Sequence, residues 1–201
     1  MAKPLAPKDE NNRLPAGQYL VTGFPVLSYG PTPRFNPAKW DFSLIGMVEQ
    51  PVKLTWEEFR KLPLSRQVSD FHCVTTWSRY DNHWEGVKVA DLMKLVKLKA
   101  GVGFVFVRCD GGYTTNLPLE EFLADDVMLA YRHDGKDLEP DHGWPLRLVV
   151  PKLYGWKSAK WVRSLEFLAR DRRGFWEVRG YHNHGDPWTE ERYSFQEDEG
   201  E

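Results

Sequence analysis

The apolar and polar positions of the chain alternate in short runs, which predicts many short strands and few long helices. From Val68 to Cys73 neighbouring residues alternate without a helical apolar stripe, so we predict an extended strand that ends near the cysteine. The polar run from Ser78 to His83, which contains Arg79, predicts a loop after this strand. Loops at strand ends are where a scaffold presents binding and reactive groups.

The segment that precedes this strand is rich in glycine and proline. Residues 20–37 (LVTGFPVLSYGPTPRFNP) can form neither a long helix nor a central strand, so we predict an extended segment laid over a surface. Trp40, Phe42 and Leu44 then alternate with polar residues, which predicts a strand that Gly46 closes.

Short helices and strands follow in an irregular order. They are a helix opened by the capping-box pair Thr55 and Glu58, a helix over 89–97, a strand over 103–109, a helix opened by Pro118, and a strand over 127–133. Because these elements interleave without regular βαβ spacing, we predict the α+β class, a mixed sheet with short helices. We expect a loose N-terminal arm at 1–18, a single domain at 19–195 and an acidic tail at 196–201.

Length and composition are those of an ordinary soluble globular protein. The 201 residues fit one domain, with 41% hydrophobic and 28% charged residues. A net charge of −2 gives no overall reason to expect nucleic acid or an anionic membrane as a partner. No apolar run approaches the ~20 residues that cross a bilayer, and the N-terminus carries neither a secretory nor a twin-arginine signal. We therefore expect a cytoplasmic protein with no membrane insertion of this chain.

Cys73 is the first candidate for chemistry. It forms neither a CxxC pair nor a disulfide framework with Cys109, the other cysteine of the chain. His72, if protonated, and Arg79 would lower the pKa of the Cys73 thiol and favour the thiolate, which is the form that binds metals. The alternative is a buried free cysteine that acts as a small hydrophobic residue. On these residues alone both interpretations stay open.

A local excess of positive charge is the second candidate. Residues 147–163 contain no acidic residue and carry the basic residues Arg147, Lys152, Lys157, Lys160 and Arg163. The loop at 155–160 offers backbone amides, the Ser158 hydroxyl and lysines, which are groups that bind a phosphate. Trp156 and Trp161 lie among the cations, which favours a flat anionic ligand, either a nucleotide-like cofactor or single-stranded nucleic acid. A solvated basic face is the alternative.

The histidines give weaker signals. His182 and His184, with Asp186 nearby, lack the helical i, i+4 spacing of zinc ligands, so we predict a surface loop there. His142 lies beside the basic stretch, where it could donate a hydrogen bond to an anion.

Two segments taken together resemble the sulfite oxidase family of molybdenum-cofactor enzymes. They read CVTTWSRYDNHWEGV (73–87) and HGWPLRLVVPKLYGWKSAKWVRSLEF (142–167), and they occur in the order seen in that family. The second segment is similar to the family's pterin-binding region, and the resemblance extends over about residues 24–167. It implies a sulfite oxidase-type molybdopterin-binding fold, a mononuclear molybdenum oxidoreductase activity, and the Mo-molybdopterin cofactor.

The resemblance also implies roles for individual residues. Cys73 would be the single thiolate ligand of the protein to molybdenum, with two further sulfurs from the pterin, and soft thiolates suit such a metal. Arg79, the arginine that follows Cys73 most closely, would act beside the metal. Contacts to the pterin and its phosphate would come from Val26, Leu27, Ser28, Tyr29, Cys109, His142, Arg147, Ser158, Ala159 and Lys160. Cys109 stands where some relatives have a threonine.

The residues after Cys73 indicate the direction of the reaction. Sulfite-oxidising members follow the cysteine with a Gly-Asn-Arg-Arg type run, whereas this chain has Val-Thr-Thr-Trp-Ser. It is closer to the branch that includes the bacterial methionine sulfoxide reductase catalytic subunit, although it lacks the export signal of that branch. We therefore expect two-electron oxygen-atom transfer, as reduction of an S-oxide or N-oxide, with sulfite oxidation as the alternative. The expected partners are a small-molecule substrate and a separate electron-donor or acceptor protein, and no nucleic acid.

Two other classes of protein are compatible with the same residues. A module that binds a nucleotide or polyanion would use the basic aromatic stretch in a salt-dependent way and would give Cys73 no role. A zinc hydrolase would use Cys73 with histidines, although the usual ligand spacing is absent. Metal analysis of the purified protein separates the three classes, because they predict molybdenum, no metal and zinc, respectively.

Overall fold

Residues 13–197 are described by a computed structural model, and they form a six-stranded and a five-stranded sheet with short helices between the strands. The strands are β1 (Tyr19–Leu20), β2 (Asp41–Gly46), β3 (Val52–Thr55), β4 (Ser65–His72), β5 (Trp77–Lys88), β6 (Phe104–Cys109), β7 (Thr114–Pro118), β8 (Met128–His133), β9 (Lys136–Asp137), β10 (Arg147–Val149) and β11 (Val162–Leu168). The helices are α1 (Trp56–Arg60), α2 (Val89–Leu92) and α3 (Leu119–Phe122). The predicted α+β class is confirmed.

The six-stranded sheet carries the cysteine strand. β5 pairs antiparallel with both β4 and β8, and β10 and β9 pair antiparallel with β8. β1 pairs in parallel with the start of β5. The strand predicted to end near Cys73 is confirmed as β4. The loop predicted from Ser78 to His83 is wrong, because these residues lie in β5, where Asn82 and His83 pair with Ser69 and Val68. A strand with a solvated face tolerates such a polar run.

The five-stranded sheet has the order β3-β2-β11-β6-β7, in which β2 and β11 are parallel and the other pairs antiparallel. The alternation predicted for β2 is confirmed, because Phe42 and Leu44 are fully buried. They share one core with Leu165 of the same sheet and with Leu129 and Leu148 of the other sheet. This shared apolar core holds the two sheets together.

A second, smaller apolar cluster lies on the six-stranded sheet beside the cysteine. Its members include Phe71, Cys73, Trp77 and Trp84, and Phe24 of the extended segment packs against them. The predicted extended conformation is confirmed, since 21–37 contains neither helix nor strand. The Phe24 ring contacts the rings of Phe71, Trp77 and Trp84, which fixes this segment beside the cysteine.

The short helices follow local sequence signals in part. The capping box is confirmed, because Thr55 Oγ1 accepts from the Glu58 amide at 3.3 Å and Glu58 Oε2 accepts from the Thr55 amide at 2.8 Å. The helix predicted over 89–97 is shorter: α2 ends at Leu92 and only a 3₁₀ turn continues to Leu95. The chain then extends, because Leu98 pairs with Val48 in a β-bridge. Within the described residues no helix is long and apolar enough to span a bilayer.

The described ends of the chain contact the domain. Arg13, which we expected in a loose arm, donates from Nε to Asp70 Oδ2 at 2.9 Å, and Gln18 is buried. Glu197, which we expected in the acidic tail, accepts from the Asn183 amide at 2.8 Å. The rest of the arm, 1–12, and of the tail, 198–201, lies outside the described residues.

Gly46 and Gly101 offer a matched test of the close approach between β2 and β11. Their φ angles are +87° and +83°, but a Cβ at Gly46 would lie 2.4 Å from the Phe167 carbonyl oxygen, whereas nothing lies within 4 Å at Gly101. Both alanine substitutions incur the left-handed cost of about 1–2 kcal/mol. We expect Gly101→Ala to lower the free energy of unfolding by about that amount and Gly46→Ala by at least ~3 kcal/mol in urea denaturation. Equal losses would contradict the close approach.

Candidate active site

A cavity of about 290 Å³ lies where the extended segment crosses the cysteine turn and the basic loop. It brings together most of the predicted site residues, namely Leu27, Ser28, Tyr29, Cys73, His142, Arg147, Ser158, Ala159 and Lys160. The described cavity wall contains no carboxylate, and most of its other members are aromatic. Two motifs distant in sequence therefore share one site.

The cysteine is presented by a tight turn between β4 and β5. The Cys73 amide donates to the Trp77 carbonyl at 2.9 Å, and the Thr76 amide donates to the Cys73 carbonyl at 2.9 Å. Thr76 closes the turn with a φ of +77°. The basic loop lies directly against the preceding strand, because the Gly155 amide donates to the His72 carbonyl at 2.8 Å. A Cβ at Gly155 would meet the Phe71 ring at 2.5 Å, so only glycine fits there.

The environment of the Cys73 thiol differs from the one predicted. Burial raises its pKa, while a hydrogen bond with Thr75 and the charges of Arg147 and Arg192 act in the opposite direction. The prediction that His72 and Arg79 favour the thiolate is wrong. Burial lowers the pKa of His72 to about 4, which leaves its ring neutral, and the charge of Arg79 is paired with Asp134.

Arg147 is a buried cation without a carboxylate partner among the described residues. Its side chain donates from Nη1 to the His142 carbonyl at 3.0 Å, and its Nε has no hydrogen-bond partner. The guanidinium lies over the rings of Phe24 and Phe71 at 5.2 and 5.0 Å. Burial lowers the pKa of Arg147 to about 10. A buried charge is costly unless it is paired, so this position favours an anionic ligand.

Lys160 is the second cation of the cavity wall. Its Nζ donates to the carbonyls of Leu27 and Asp141 at 2.9 and 2.7 Å, so it links the extended segment to the basic loop. Burial, followed by the charge of Arg147, lowers the pKa of Lys160 to about 8. Gly143 allows the two cations to approach, because a Cβ there would lie 3.2 Å from the Cβ atoms of both.

His142 holds the extended segment from the other side. Its Nε2 lies 2.9 Å from the Phe24 carbonyl oxygen, and its ring stacks on the Phe24 ring with centroids 4.7 Å apart. Burial lowers the pKa of His142, so the ring is neutral near pH 7 and carries its proton on the nitrogen that donates to Phe24. With that proton on Nε2, the neutral ring has no further N–H, so the structure does not support its predicted role in donating to an anion.

The predicted basic cluster divides into two groups. Lys157 Nζ lies 2.7 Å from Glu177 Oε1, and neither side chain has exposed surface. The same oxygen accepts from Trp156 Nε1 at 3.0 Å, which fixes a ring of the cavity wall. Arg163 pairs with Asp41 and Asp110. Among the described basic residues of 147–163, only Arg147 and Lys160 line the cavity. The alternative of a solvated basic face is not supported, because Arg147 and Lys157 are buried.

Three predicted site residues lie outside the cavity wall. Arg79 is in β5, where its guanidinium pairs with Asp134 and already has its charge neutralised. Cys109 ends β6 and is packed in the main core. Val26 is 47% exposed. The cavity geometry gives no support to a cofactor or substrate contact at these positions.

Sequence reasoning missed other members of the wall, Tyr113, Trp176 and Tyr181. Tyr113 follows the Gly111-Gly112 turn after β6, and its hydroxyl donates to the Trp156 carbonyl at 2.6 Å. Tyr181 precedes the histidines for which we predicted a surface loop. That prediction is wrong for His182, which is buried. Its Nδ1 accepts hydrogen bonds from the amides of His184 and Gly185 at 3.1 and 3.2 Å.

Comparison with known proteins identifies the family. The family model described as "Oxidoreductase molybdopterin binding domain" matches residues 29–176, which include the cysteine turn and the basic loop. The chain belongs to this family. It is therefore a molybdopterin-dependent oxidoreductase, and the predicted enzyme class, cofactor and resemblance to the sulfite oxidase family are confirmed.

Several proteins of this family are similar over most of the chain. An uncharacterized oxidoreductase of Bacillus subtilis, YuiH, is 44% identical over 93% of this chain and 95% of its own length. The protein-methionine-sulfoxide reductase catalytic subunit MsrP of Campylobacter jejuni is 31% identical over 72% of this chain and 54% of its own length. Arabidopsis thaliana sulfite oxidase is 31% identical over 77% of this chain and 48% of its own length. The chain thus spans about half of the latter two relatives.

The fold is similar to that of the sulfane dehydrogenase SoxCD of Paracoccus pantotrophus. The two structures superpose with a TM-score of 0.63 at 23% sequence identity, over 69% of this chain and 40% of that one. Together with the family match over residues 29–176, this similarity confirms the sulfite oxidase-type molybdopterin-binding fold that the resemblance implied.

The residues of the cavity fit the molybdopterin cofactor. A thiol suits a soft metal, and two cations without carboxylate partners in the described chain suit the phosphate of the pterin. The unpartnered Nε of Arg147 leaves one further donor for such an anion. Flat aromatic walls suit the ring system.

Substitution of each cavity cation tests this fit. We expect Arg147→Gln and Lys160→Gln each to weaken cofactor retention roughly 10- to 100-fold, because a charge-assisted hydrogen bond contributes roughly 1.5–3 kcal/mol. Lys152→Gln is the matched control, since Lys152 belongs to the same stretch but is exposed and does not line the cavity. Molybdenum and pterin per protein after dialysis give the measurement. Full occupancy in Arg147→Gln would show that this cation serves another ligand.

Proposed function

We propose that the protein reduces an S-oxide or N-oxide, with Cys73 as the protein ligand to molybdenum. One observation carries this proposal. Apart from Cys73 itself and the cations Arg147 and Lys160, the described cavity wall is made of neutral side chains, among them Val74, Thr75, Trp77, Trp156, Trp176 and Tyr181. The two cations of the wall, Arg147 and Lys160, are the groups that suit the cofactor phosphate. The remaining, neutral part of the cavity wall suits an uncharged, partly apolar substrate.

Sulfite would need a different wall. It is a compact dianion near neutral pH and is held best by several charge-assisted hydrogen bonds. Three arginines that folding might have delivered to the cavity are paired elsewhere, and Arg192, whose charge acts on the Cys73 thiol, is not part of the described cavity wall. Arg79 pairs with Asp134, Arg132 with Glu85 at 3.0 Å, and Arg172 with Glu166 at 3.1 Å. Neutralised cations of this kind offer little attraction to a dianion.

The protein residues would bind the cofactor and cover it. In this proposal Arg147 and Lys160 bind the pterin phosphate, Ser158 and Ala159 place the loop beside it, and residues 27–29 cover it. Ser158 is fixed for this purpose, because its Oγ accepts from the Val150 amide at 2.9 Å. When bound, the cofactor supplies two-electron oxygen-atom exchange, while the protein supplies a ligand, orientation and an electrostatic field.

Tyr181 is the residue that we assign to the substrate oxygen. Its side chain lines the cavity together with Cys73, and burial raises its pKa, so its hydroxyl is protonated and can donate a hydrogen bond at neutral pH. The overall reaction consumes two electrons and two protons and converts the S-oxide to the sulfide and water. The electrons would come from a separate electron-donor protein. A cytoplasmic location stays a prediction.

The direction of the reaction is tested with artificial redox partners. We expect oxidation of a reduced viologen dye with methionine sulfoxide, dimethyl sulfoxide or trimethylamine N-oxide as acceptor. In parallel, sulfite is offered with ferricyanide as electron acceptor. Efficient sulfite turnover without reduction of any S-oxide or N-oxide would sink the proposal and place the protein with the sulfite-oxidising members of its family.

The role of Cys73 is tested by its removal. We expect Cys73→Ala to abolish dye-linked turnover while the fold and much of the pterin remain, because the pterin is held by many separate contacts. Cys109→Ala is the control and should cost much less activity, since Cys109 lies in the main core. The measurements are turnover, pterin content and circular dichroism. Full turnover of Cys73→Ala with metal bound would rule out Cys73 as the ligand.

A further inference from the structure

The chain after the matched family segment returns to the cysteine turn. Residues 177–197 follow the segment matched by the family model, and Arg192 within them donates from Nη1 to the Val74 carbonyl at 2.6 Å. Val74 is the residue next to Cys73. A side chain remote in sequence therefore contacts the backbone that presents the thiol.

Arg192 is held in place for this contact by its surroundings. Its guanidinium lies over the Tyr154 ring at 5.0 Å, and only 12% of its side chain is exposed. Its backbone is fixed as well, since its amide donates to Gln196 Oε1 at 2.9 Å and its carbonyl accepts from the His182 amide at 3.2 Å. The nearest carboxylate oxygen, on Glu190, is 3.6 Å away. The guanidinium is thus ordered before any ligand binds.

The cysteine turn needs such support. Thr76 adopts a left-handed conformation, which costs a residue with a Cβ roughly 1–2 kcal/mol. Two side chains from opposite ends of the described chain hold consecutive carbonyls of the turn. Gln18 Nε2 donates to the Cys73 carbonyl at 3.2 Å, and Arg192 donates to the Val74 carbonyl. Of these two side chains only Arg192 brings a positive charge, which acts on the thiol.

We propose that Arg192 is a positioning residue that fixes the Cys73 turn and sets the electrostatic field at the sulfur. This inference rests on the proposed function, because it takes Cys73 as the ligand to molybdenum. Arginine suits the task, since its rigid fork donates to a carbonyl while its plane stacks on an aromatic ring. Loss of the contact frees the turn, and loss of the charge makes the sulfur a stronger electron donor to the metal.

Arg179 provides a matched control for the structural part. It donates from Nη1 to the Phe175 carbonyl at 2.8 Å and lies over the Phe175 ring at 3.7 Å, so it makes the same two contacts away from the cysteine turn. In the purified holoenzyme we expect amide hydrogen exchange of residues 73–77 to be about tenfold faster or more in Arg192→Met, because a charge-assisted hydrogen bond is lost. Exchange there should be unchanged in Arg179→Met.

The electrostatic part is tested by the reduction potential of the bound molybdenum. Removal of a positive charge stabilises the oxidised metal, so Arg192→Met should shift the potential to more negative values and Arg179→Met should not. Arg192→Lys keeps the charge without the fork, so its potential should stay near that of the parent while its turn exchanges faster. If Arg192→Met does not fold, the positioning role is tested by Arg192→Lys alone, through the amide hydrogen exchange of residues 73–77.

The two proposals fail in distinguishable ways. An Arg192→Met variant that matches Arg179→Met in either turn exchange or potential, or an Arg192→Lys variant that matches it in turn exchange, would overturn the positioning role. The reaction is judged separately, by dye-linked assays of the unsubstituted protein. A parent protein that reduces neither S-oxide nor N-oxide refutes the proposed reaction and leaves the measurements on Arg192 to stand on their own.

Discussion

The buried ion pair between Lys157 and Glu177 determines the path of the basic loop. Both charges are fully enclosed, and the lysine also donates to the carbonyls of Asn116 and Asn183 at 2.9 and 2.6 Å. The pair thus joins the loop, β7 and the last described segment at one point. Removing one partner of such a pair typically costs about 3–5 kcal/mol, because the other charge is left buried alone. The cavity wall depends on this arrangement, since Trp156 donates to the same glutamate.

The basic residues of the loop region illustrate two solutions to burying a charge. Lys157 is neutralised inside the protein and therefore serves the fold. Arg147 has no carboxylate partner within the described chain, and burial lowers its pKa to about 10. The free energy cost of burying this unpaired charge is offset only when an anion binds, so the cavity lacks a counter-charge for Arg147 until then. The same stretch of sequence thus supplies both a structural cation and a binding cation.

Local patterns in the sequence were sufficient for the elements that depend on local interactions. The alternation around Phe42 and the capping box of Thr55 predicted β2 and α1 correctly. The polar start of β5 was misjudged, because its strand pairing with β4 is a tertiary property that periodicity does not report. The resemblance to a known family supplied the cofactor and nine residues of the cavity wall.

Charge partners could not be read from the sequence. Arg79 follows Cys73 closely along the chain, yet its guanidinium pairs with Asp134, which the β8–β9 turn delivers. Arg192 is far from Cys73 along the chain and contacts its turn. Sequence distance says little about which carboxylate or carbonyl a long side chain reaches in the folded protein. Assignments of charged residues therefore needed the structure.

The contacts that hold the extended segment over the cavity have a consequence for its evolution. His142 and Lys160 bind it through the carbonyls of Phe24 and Leu27, which every amino acid possesses. Side chains such as Val26 and Leu27 are about half exposed. Substitution at these exposed positions leaves the two main-chain contacts in place, so the cover of the cavity can persist while its outward side chains change.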